Sequence, residues 1–427
     1  MPGSTPPGGF SIALIRSDGL SCTRTSTRTQ TFTRNGCKSV GDISSAAAWS
    51  NIIYTKAQLF TWNDTRNPSD ASDTPILGAD IDMEMTPWTP KNFAGTFDGR
   101  GHKLYNINVS TNNYAGFLRE LTGGASVKDL VIGSSDGVIY DGQSIIKHSK
   151  SANNYTWYYA GAIAKVSGTS TVSNVTNFAT VEVASDATSK TRTGGIVGNW
   201  NSTGTIKSCT NYGAVRNNAA TTGHASQSDA TSNGSLVGGV LGFFDVRSTI
   251  ENCSNYGSVT TVNPGVSAIG GVVGYDGRGS TVKNCTNGGV VKHQAQALVT
   301  DTAVGGVIAN ALGASGTFGT IQSCTNSGAV SATGNNVKIR VGGVSGYTDY
   351  YNVSYCSNSA AVSYSNTSAT TEYLAIGGIC AHTYHSCIIT SCTNEGPVSS
   401  DKPQVNRVGG IVGNLNSSAV RKCINSS

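Results

Sequence analysis

Residues 194–215 read Gly-Gly-Ile-Val-Gly-Asn-Trp-Asn-Ser-Thr-Gly-Thr-Ile-Lys-Ser-Cys-Thr-Asn-Tyr-Gly-Ala-Val. Two signals sit in this stretch. A tandem glycine opens onto apolar residues, and Cys209, Asn211, Gly213 and Val215 follow at offsets 0, 2, 4 and 6. A period of two puts those four residues on one face of an extended segment. Ile206 lies three positions before Cys209, a spacing that would flip the face in a flat strand. A corner or bulge between them is therefore expected. The tandem glycines suit another corner, where backbones pack closely or φ is positive.

The pair of signals recurs along the chain. Tandem glycines return at Gly238-Gly239, Gly270-Gly271, Gly305-Gly306, Gly342-Gly343, Gly377-Gly378 and Gly409-Gly410. The cysteine half returns at Cys253, Cys285, Cys324, Cys356, Cys392 and Cys423, with Asn255, Asn287, Asn326, Asn358 and Asn394 each two residues on from its cysteine and Asn425 beginning a last copy. An apolar residue stands three before each cysteine: Ile206, Ile250, Val282, Ile321, Val353, Ile389 and Val420. Degenerate copies precede them at Ala115–Leu130 and Ala160–Asn177. Successive cysteines are 44, 32, 39, 32, 36 and 31 residues apart. Such variation suits fixed short strands joined by loops of changing length. It predicts an all-β fold, a right-handed parallel β-helix of about nine coils, each stacked ~4.8 Å from the last. Cysteines and asparagines then form ladders, the thiols reduced and buried as small core residues. A β-propeller needs four strands per blade, for which the shortest repeats of 31–32 residues are cramped.

Composition excludes several classes. Only 12% of residues are charged and Gly is 53 of 427, so a helical bundle is excluded. Frequent Val and Ile with little net charge argue against disorder. No apolar run approaches the ~18 residues of a membrane span. The net charge is +5, of which residues 1–41 hold +4, so the body lacks the broad basic face of a nucleic-acid binder. No signal peptide is readable, yet the polar, low-charge composition suggests an exported protein.

The lead-in Leu77-Gly-Ala-Asp-Ile-Asp-Met83, Trp88-Thr-Pro90, Phe93-Ala-Gly-Thr-Phe-Asp-Gly-Arg-Gly-His102 and Leu104-Tyr-Asn-Ile107, followed by the repeats, resembles the bacterial GLUG-motif proteins. The resemblance covers about residues 75–427. It implies a right-handed parallel β-helix on an exported, adhesin-like protein of a bacterial cell surface, of the kind common in gut Bacteroidetes and Firmicutes, and it implies no reaction. Three segments follow: a Thr/Arg-rich extension at 1–41, a capping segment at 42–74, and the β-helix at 75–427. Within the capping segment a helix over 42–62 is expected, with Asp42 or Ser44 as cap and an apolar stripe from Ala46–Ala48, Trp49, Ile52, Ile53 and Leu59.

Residues with chemistry are few. Cys380-Ala-His382-Thr-Tyr-His385-Ser-Cys387 has metal-like spacing, but the histidines read better as surface residues of a loop, and no metal or other cofactor is expected. Asp80, Asp82 and Asp98 fall in the lead-in, where turn roles suit them; a glycosidase needs two facing carboxylates. Tyr155, Trp157, Tyr158 and Tyr159 suit either sugar stacking or corner packing, and the polar segments 216–237, with His224 and Asp229, and 311–319 read as outer loops suited to recognition. Cys22 and Cys37 could pair. The expected function is a non-enzymatic extracellular structural or adhesive protein, with itself or a surface glycan or protein receptor as partner. The alternative is a carbohydrate-active β-helix enzyme, a polysaccharide lyase or hydrolase.

Self-assembly is also expected. The last repeat stops at Cys423-Ile-Asn-Ser-Ser427 before its Gly and Val, which leaves a coil edge open. Thr23 to Arg34 alternates as a strand would, and Phe10–Ile15 is a short apolar strand with no evident partner. Phe10, Ile12, Leu14 and Phe32 of one copy, against Val420 and Cys423 of the next, are the candidate contacts of a head-to-tail filament.

Overall fold

The computed structural model describes residues 10–15, 21–26, 51–135, 144–148, 157–184, 190–219, 234–262, 267–366, 373–401 and 406–427. The chain winds as a parallel β-solenoid whose coils each contribute to four sheets. Among the described residues, sheet I has nine strands, from Leu118–Leu121 to Val412–Leu415, hence about eight turns between the first and the last. Sheet II has 12, from Ile52–Ile53 to Ala419–Arg421, and sheet III has 11, from Ile81–Asp82 to Ile424–Asn425. Sheet IV collects the strands on either side of the variable loops; in two coils these merge into the single long strands Val291–Gly305 and Val330–Gly342.

Each repeat position maps onto a column. Phe97, Val127, Val172, Ile206, Ile250, Val282, Ile321, Val353, Ile389 and Val420 lie in register along sheet II, and all but Val420 are buried. The corner between Ile206 and Cys209 is a single residue in the left-handed region: Ser208 has φ 54°, and Asn252, Asn284, Ser323, Tyr355, Ser391 and Lys422 repeat it at 52–54°. That twist returns the cysteine to the interior although the spacing is three. The tandem glycines have a different reason. Neither lies at positive φ. A Cβ on Gly195 would sit 2.3 Å from both Asn211 Cγ and the Gly239 carbonyl oxygen, so the second glycine makes room for the asparagine sixteen residues later. The same conflict recurs between Gly239 and Asn255, and between Gly271 and Asn287.

The N-terminal segments depart from expectation. The helix, α1, is Lys56–Thr65, capped by Thr55 in a reciprocal capping box with Gln58. Ile52 and Ile53 form a strand paired with Ile76–Leu77 instead of a helical stripe, so the stack starts before residue 75. Residues 42–50, with Asp42, Ser44 and Trp49, lie outside the described residues. Leu59 and Trp62 of α1 are buried, and the Trp62 ring meets Phe93 and Phe97 edge-on at 5.9 and 5.5 Å. The helix thus covers Phe93 and Phe97, near the start of the stack. Phe10–Ile15 and Ser21–Ser26 pair with each other as an antiparallel hairpin, Leu14 opposite Cys22; the strand expected to lack a partner finds one that starts six residues after Ile15. Phe32 and Cys37 lie outside the described residues.

Candidate functional site

Inside the solenoid, the asparagines make a continuous line. Asn177, Asn211, Asn255, Asn287, Asn326, Asn358 and Asn394 each donate Nδ2 to the Oδ1 of the next coil's asparagine, at 2.7–2.8 Å throughout, and Asn425 accepts the last of these bonds. The second Nδ2 proton goes to the carbonyl two residues on, for example Asn287 to Gly289 at 2.8 Å. In the first coils the same column is aliphatic: Ile81, Leu104 and Ile132. Cys209, Cys253, Cys285, Cys324, Cys356 and Cys392 are free and buried, and Cys423 is half-buried. Each approaches its neighbour, as where the Cys209 amide donates to Cys253 Sγ at 3.4 Å. Burial pushes the Cys253 thiol well above its ordinary pKa. Both ladders run through the interior of the stack, the cysteines of six coils wholly buried.

The metal-like segment disperses. Cys380 and Cys387 point into the core. His382 lies in the strand Cys380–Tyr384 and is buried, unlike a surface-loop histidine; burial and the neighbouring Arg340 and Arg407 lower its pKa to about 3. His385 turns the corner beside Asp349, 3.1 Å away. No group of three His, Cys, Asp or Glu among the described residues could hold a metal. Asp80 meets His102 at 3.0 Å, Asp82 accepts from Asn106 at 2.8 Å, and Asp98 meets Lys128 at 2.8 Å. Those carboxylates serve neighbouring turns and coils.

What the structure does bring together lies on the outside of the solenoid, where sheets IV and I meet. Alternation along Trp157–Ala160 sends Trp157 and Tyr159 outward, against Lys190 and Arg192 of the next coil; Tyr158 instead packs on His148. On sheet I, Asn199, Phe243 and Tyr275 form one outward column. Arg192 is fully buried. Its guanidinium lies 4.4 Å from the Trp157 ring and 4.9 Å from that of Phe243, and donates to the carbonyls of Thr191 and Gly234 at 3.0 Å. Burial lowers its pKa to about 9. Beyond these rings, the corner loops add Asp245, Gly277, Arg278, Leu312 and Gly313, closing a cleft of about 570 Å³. Arg278 Nε donates to the Asp245 carbonyl at 2.9 Å, and its Nη2 stands 3.7 Å from the Asp245 carboxylate. Trp157 and Tyr159 were visible in the sequence as aromatic candidates. Phe243, Tyr275 and Asp245 were not, because their partnership depends on stacking register, which the varying spacing of 31–44 residues between cysteines conceals. Tyr155 and residues 220–233, with His224 and Asp229, lie outside the described residues.

Four coils after Arg192 the same outward column holds Arg340. It pairs with buried Asp301, donates to His382 Nδ1 at 3.3 Å, and lies 4.9 Å from the ring of Tyr347 and 5.3 Å from that of Tyr373. The repeated use of an arginine between aromatic rings marks this concave corner as a second packed layer.

Among the described residues, no helix is long and apolar enough to cross a membrane. No protein-family model matches the chain, and no curated protein matches it. Among solved structures, a Bacteroides ovatus protein described as a candidate immunoglobulin A1 protease is similar, with a TM-score of 0.42 and 12% identity over 90% of this chain and 85% of that one.

Proposed function

We propose that this β-solenoid is a non-enzymatic extracellular protein of a bacterial surface, with an adhesive role toward a surface glycan or protein receptor. The observation that carries the reading is the cleft. Its base is built of Trp157 and the buried rings of Tyr159, Phe243 and Tyr275, and the lining holds one carboxylate, Asp245, beside Arg278. A carbohydrate-cleaving centre of the usual kind needs two facing carboxylates, whereas an aromatic base with a few polar groups suits binding. The uninterrupted asparagine and cysteine ladders supply a rigid scaffold on which to mount such a surface. The resemblance of the lead-in and repeats to GLUG-motif surface proteins points the same way. Head-to-tail docking remains part of the proposal in narrower form. Helix α1 packs over Phe93 and Phe97 near the start of the stack, so a neighbour's hairpin, not its first coil, is the segment offered to Val420 and Cys423.

The test uses the full chain on surfaces coated with glycoproteins and polysaccharides, with binding and reducing-end release followed together. Retention without release is the expected result. Release of oligosaccharides would establish the enzyme instead. Light scattering at rising concentration reads the assembly: a single monomeric species throughout removes the filament.

A further inference from the structure

We infer that the outward face around sheet III pairs with the same face of a second copy of this chain, the two solenoids antiparallel about a two-fold axis. The inference goes beyond the adhesive reading and does not depend on it. Among the described residues, the exposed large apolar side chains fall in two places. Val408, Leu415, Val420 and Ile424 lie on the last coil, whereas Tyr212, Tyr256, Val290 and Tyr355 lie on and beside sheet III. A single exposed apolar residue needs no explanation, but a cluster of them marks a contact surface. The face is also free of charge. Residues 174–180, 208–214, 252–258, 284–290, 323–329 and 355–361, from six successive coils, contain no Asp, Glu, Lys, Arg or His. Two such faces meet without like-charge repulsion and without stranding an ion.

Side-chain size selects the partner. The position just after each ladder asparagine holds Phe178, Tyr212 and Tyr256 in three successive coils. Phe178 stacks on Tyr212 at 4.8 Å and 6°, and Tyr212 on Tyr256 at 5.2 Å and 20°. Stacking occupies the ring faces, so Tyr212 and Tyr256, 47% and 48% exposed, offer their edges outward. In the next three coils the same column holds Gly288, Ser327 and Ser359. A Cβ on Gly288 would lie 2.8 Å from Tyr256 Cδ1. The last ring thus leans over the glycine, and the column steps down there from rings to small side chains. A two-fold axis at that step, running across the solenoid, sets Phe178 against Ser359 and Tyr212 against Ser327 of the second copy. The two Tyr256 rings then lie side by side at the axis. Register holds because both copies share the ~4.8 Å rise. The operator repeats each contact in reverse, so the interface is isologous and the assembly closes at two. An unrelated partner gives no reason for three large and three small positions to mirror each other about one point. Six coils at ~4.8 Å by seven residues at ~3.3 Å give a footprint of about 600 Å² per copy. That is below the ~800 Å² given up by each side of a standard interface, so the pair is reversible.

The full chain and its Val420→Glu variant, altered on the open last coil, are compared by sedimentation equilibrium over rising concentration. In the variant, where head-to-tail docking is blocked, we expect a monomer–dimer equilibrium that stops at two. Adding Tyr212→Glu or Ser327→Glu, both exposed positions, should raise the dimer dissociation constant at least tenfold, with circular dichroism and the urea midpoint showing that the fold is kept. Orientation is read by disulfide trapping. Tyr212→Cys mixed with Ser327→Cys should cross-link under mild oxidation. Tyr212→Cys alone should not, because its two copies lie three coils, about 14 Å, apart. A Val420→Glu chain that stays monomeric, one that pairs equally well after Tyr212→Glu, or equal cross-linking by the mixture and the single variant overturns the inference. A monomer that holds a coated polysaccharide or receptor through Tyr212 gives the face to that ligand and overturns it as well. The filament fails separately: a parent that also stops at two removes head-to-tail growth and supports the pair.

Discussion

Replacing Asn287 by Ala should be among the most damaging single changes in this solenoid. Its Nδ2 donates to Asn326 Oδ1 and to the Gly289 carbonyl, and its Oδ1 accepts from Asn255 Nδ2, all at 2.8 Å in a fully buried site. Removing the amide deletes three hydrogen bonds, each with a net value of about 1 kcal/mol. It also strands an Nδ2 proton on Asn255, an Oδ1 on Asn326 and a backbone carbonyl, with no bulk water to replace the lost partner. Stranded buried groups add to the penalty, so a loss of about 3–5 kcal/mol is expected. Asn425 provides the control. It ends the same ladder, is exposed, and receives its bond from Asn394 at 2.7 Å. Asn425→Ala should cost about 1 kcal/mol or less. Urea midpoints of the two variants, read with amide exchange at coils flanking the change, give the comparison, since a repeat array need not unfold in one step. Equal losses in the two variants would refute the ladder as a source of stability. A further variant tests the donor specifically. Asn287→Asp keeps the shape but sets a carboxylate against Asn326 Oδ1; its buried pKa should rise, so its deficit should shrink as pH falls toward 4.

Three other outcomes are expected. Gly271→Ala puts a Cβ 2.0 Å from the Gly306 carbonyl and 2.3 Å from Asn287 Cγ and should prevent that coil from closing, read as lost amide protection. Gly257→Ala also puts a Cβ 2.0 Å from a carbonyl oxygen, that of Gly213, but should be milder, because Ala179 and Ala360 show that the equivalent position of other coils adjusts to a Cβ. Ser391→Gly should stabilise the fold by up to ~1 kcal/mol, read as a higher urea midpoint, because Ser391 has φ 53°; a lower midpoint would show that the serine side chain matters there. His293 is fully buried with its pKa lowered to about 4. Its neutral form therefore stabilises the fold above the unfolded value of about 6.5, and up to about 3 kcal/mol is lost as pH falls from there toward 4. A parent protein whose midpoint is flat across that window would contradict this.

How much was legible follows from where information repeats. The coil, the two ladders and the inward aliphatic column were readable because Ile206, Cys209 and Asn211 recur at fixed mutual spacing in every copy. The corner at Ser208 could be inferred only as a necessity, since the left-handed position is filled by Ser, Asn, Tyr or Lys and never by glycine. Helix α1 was misplaced because the expectation followed the apolar residues around Ile52 and overlooked Thr55-Lys-Ala-Gln58, the capping box that sets its start. The cleft was least legible. Trp157 and Asp245 come together only after three coils are stacked, and non-repeating residues on the outer face carry no periodic signal.

The interlock of Gly271 with Asn287, repeated from coil to coil, has a consequence for heredity. Each coil presents to the next the same surface that it receives from the previous one. A duplicated or deleted copy therefore meets matching neighbours, and the only junction to heal is a loop whose length already varies. Gene segments of this kind can lengthen or shorten by whole units without an intermediate that fails to fold. The number of coils becomes a heritable ruler, graded in steps of about 4.8 Å, while a face such as the cleft can diverge on whichever coil selection reaches.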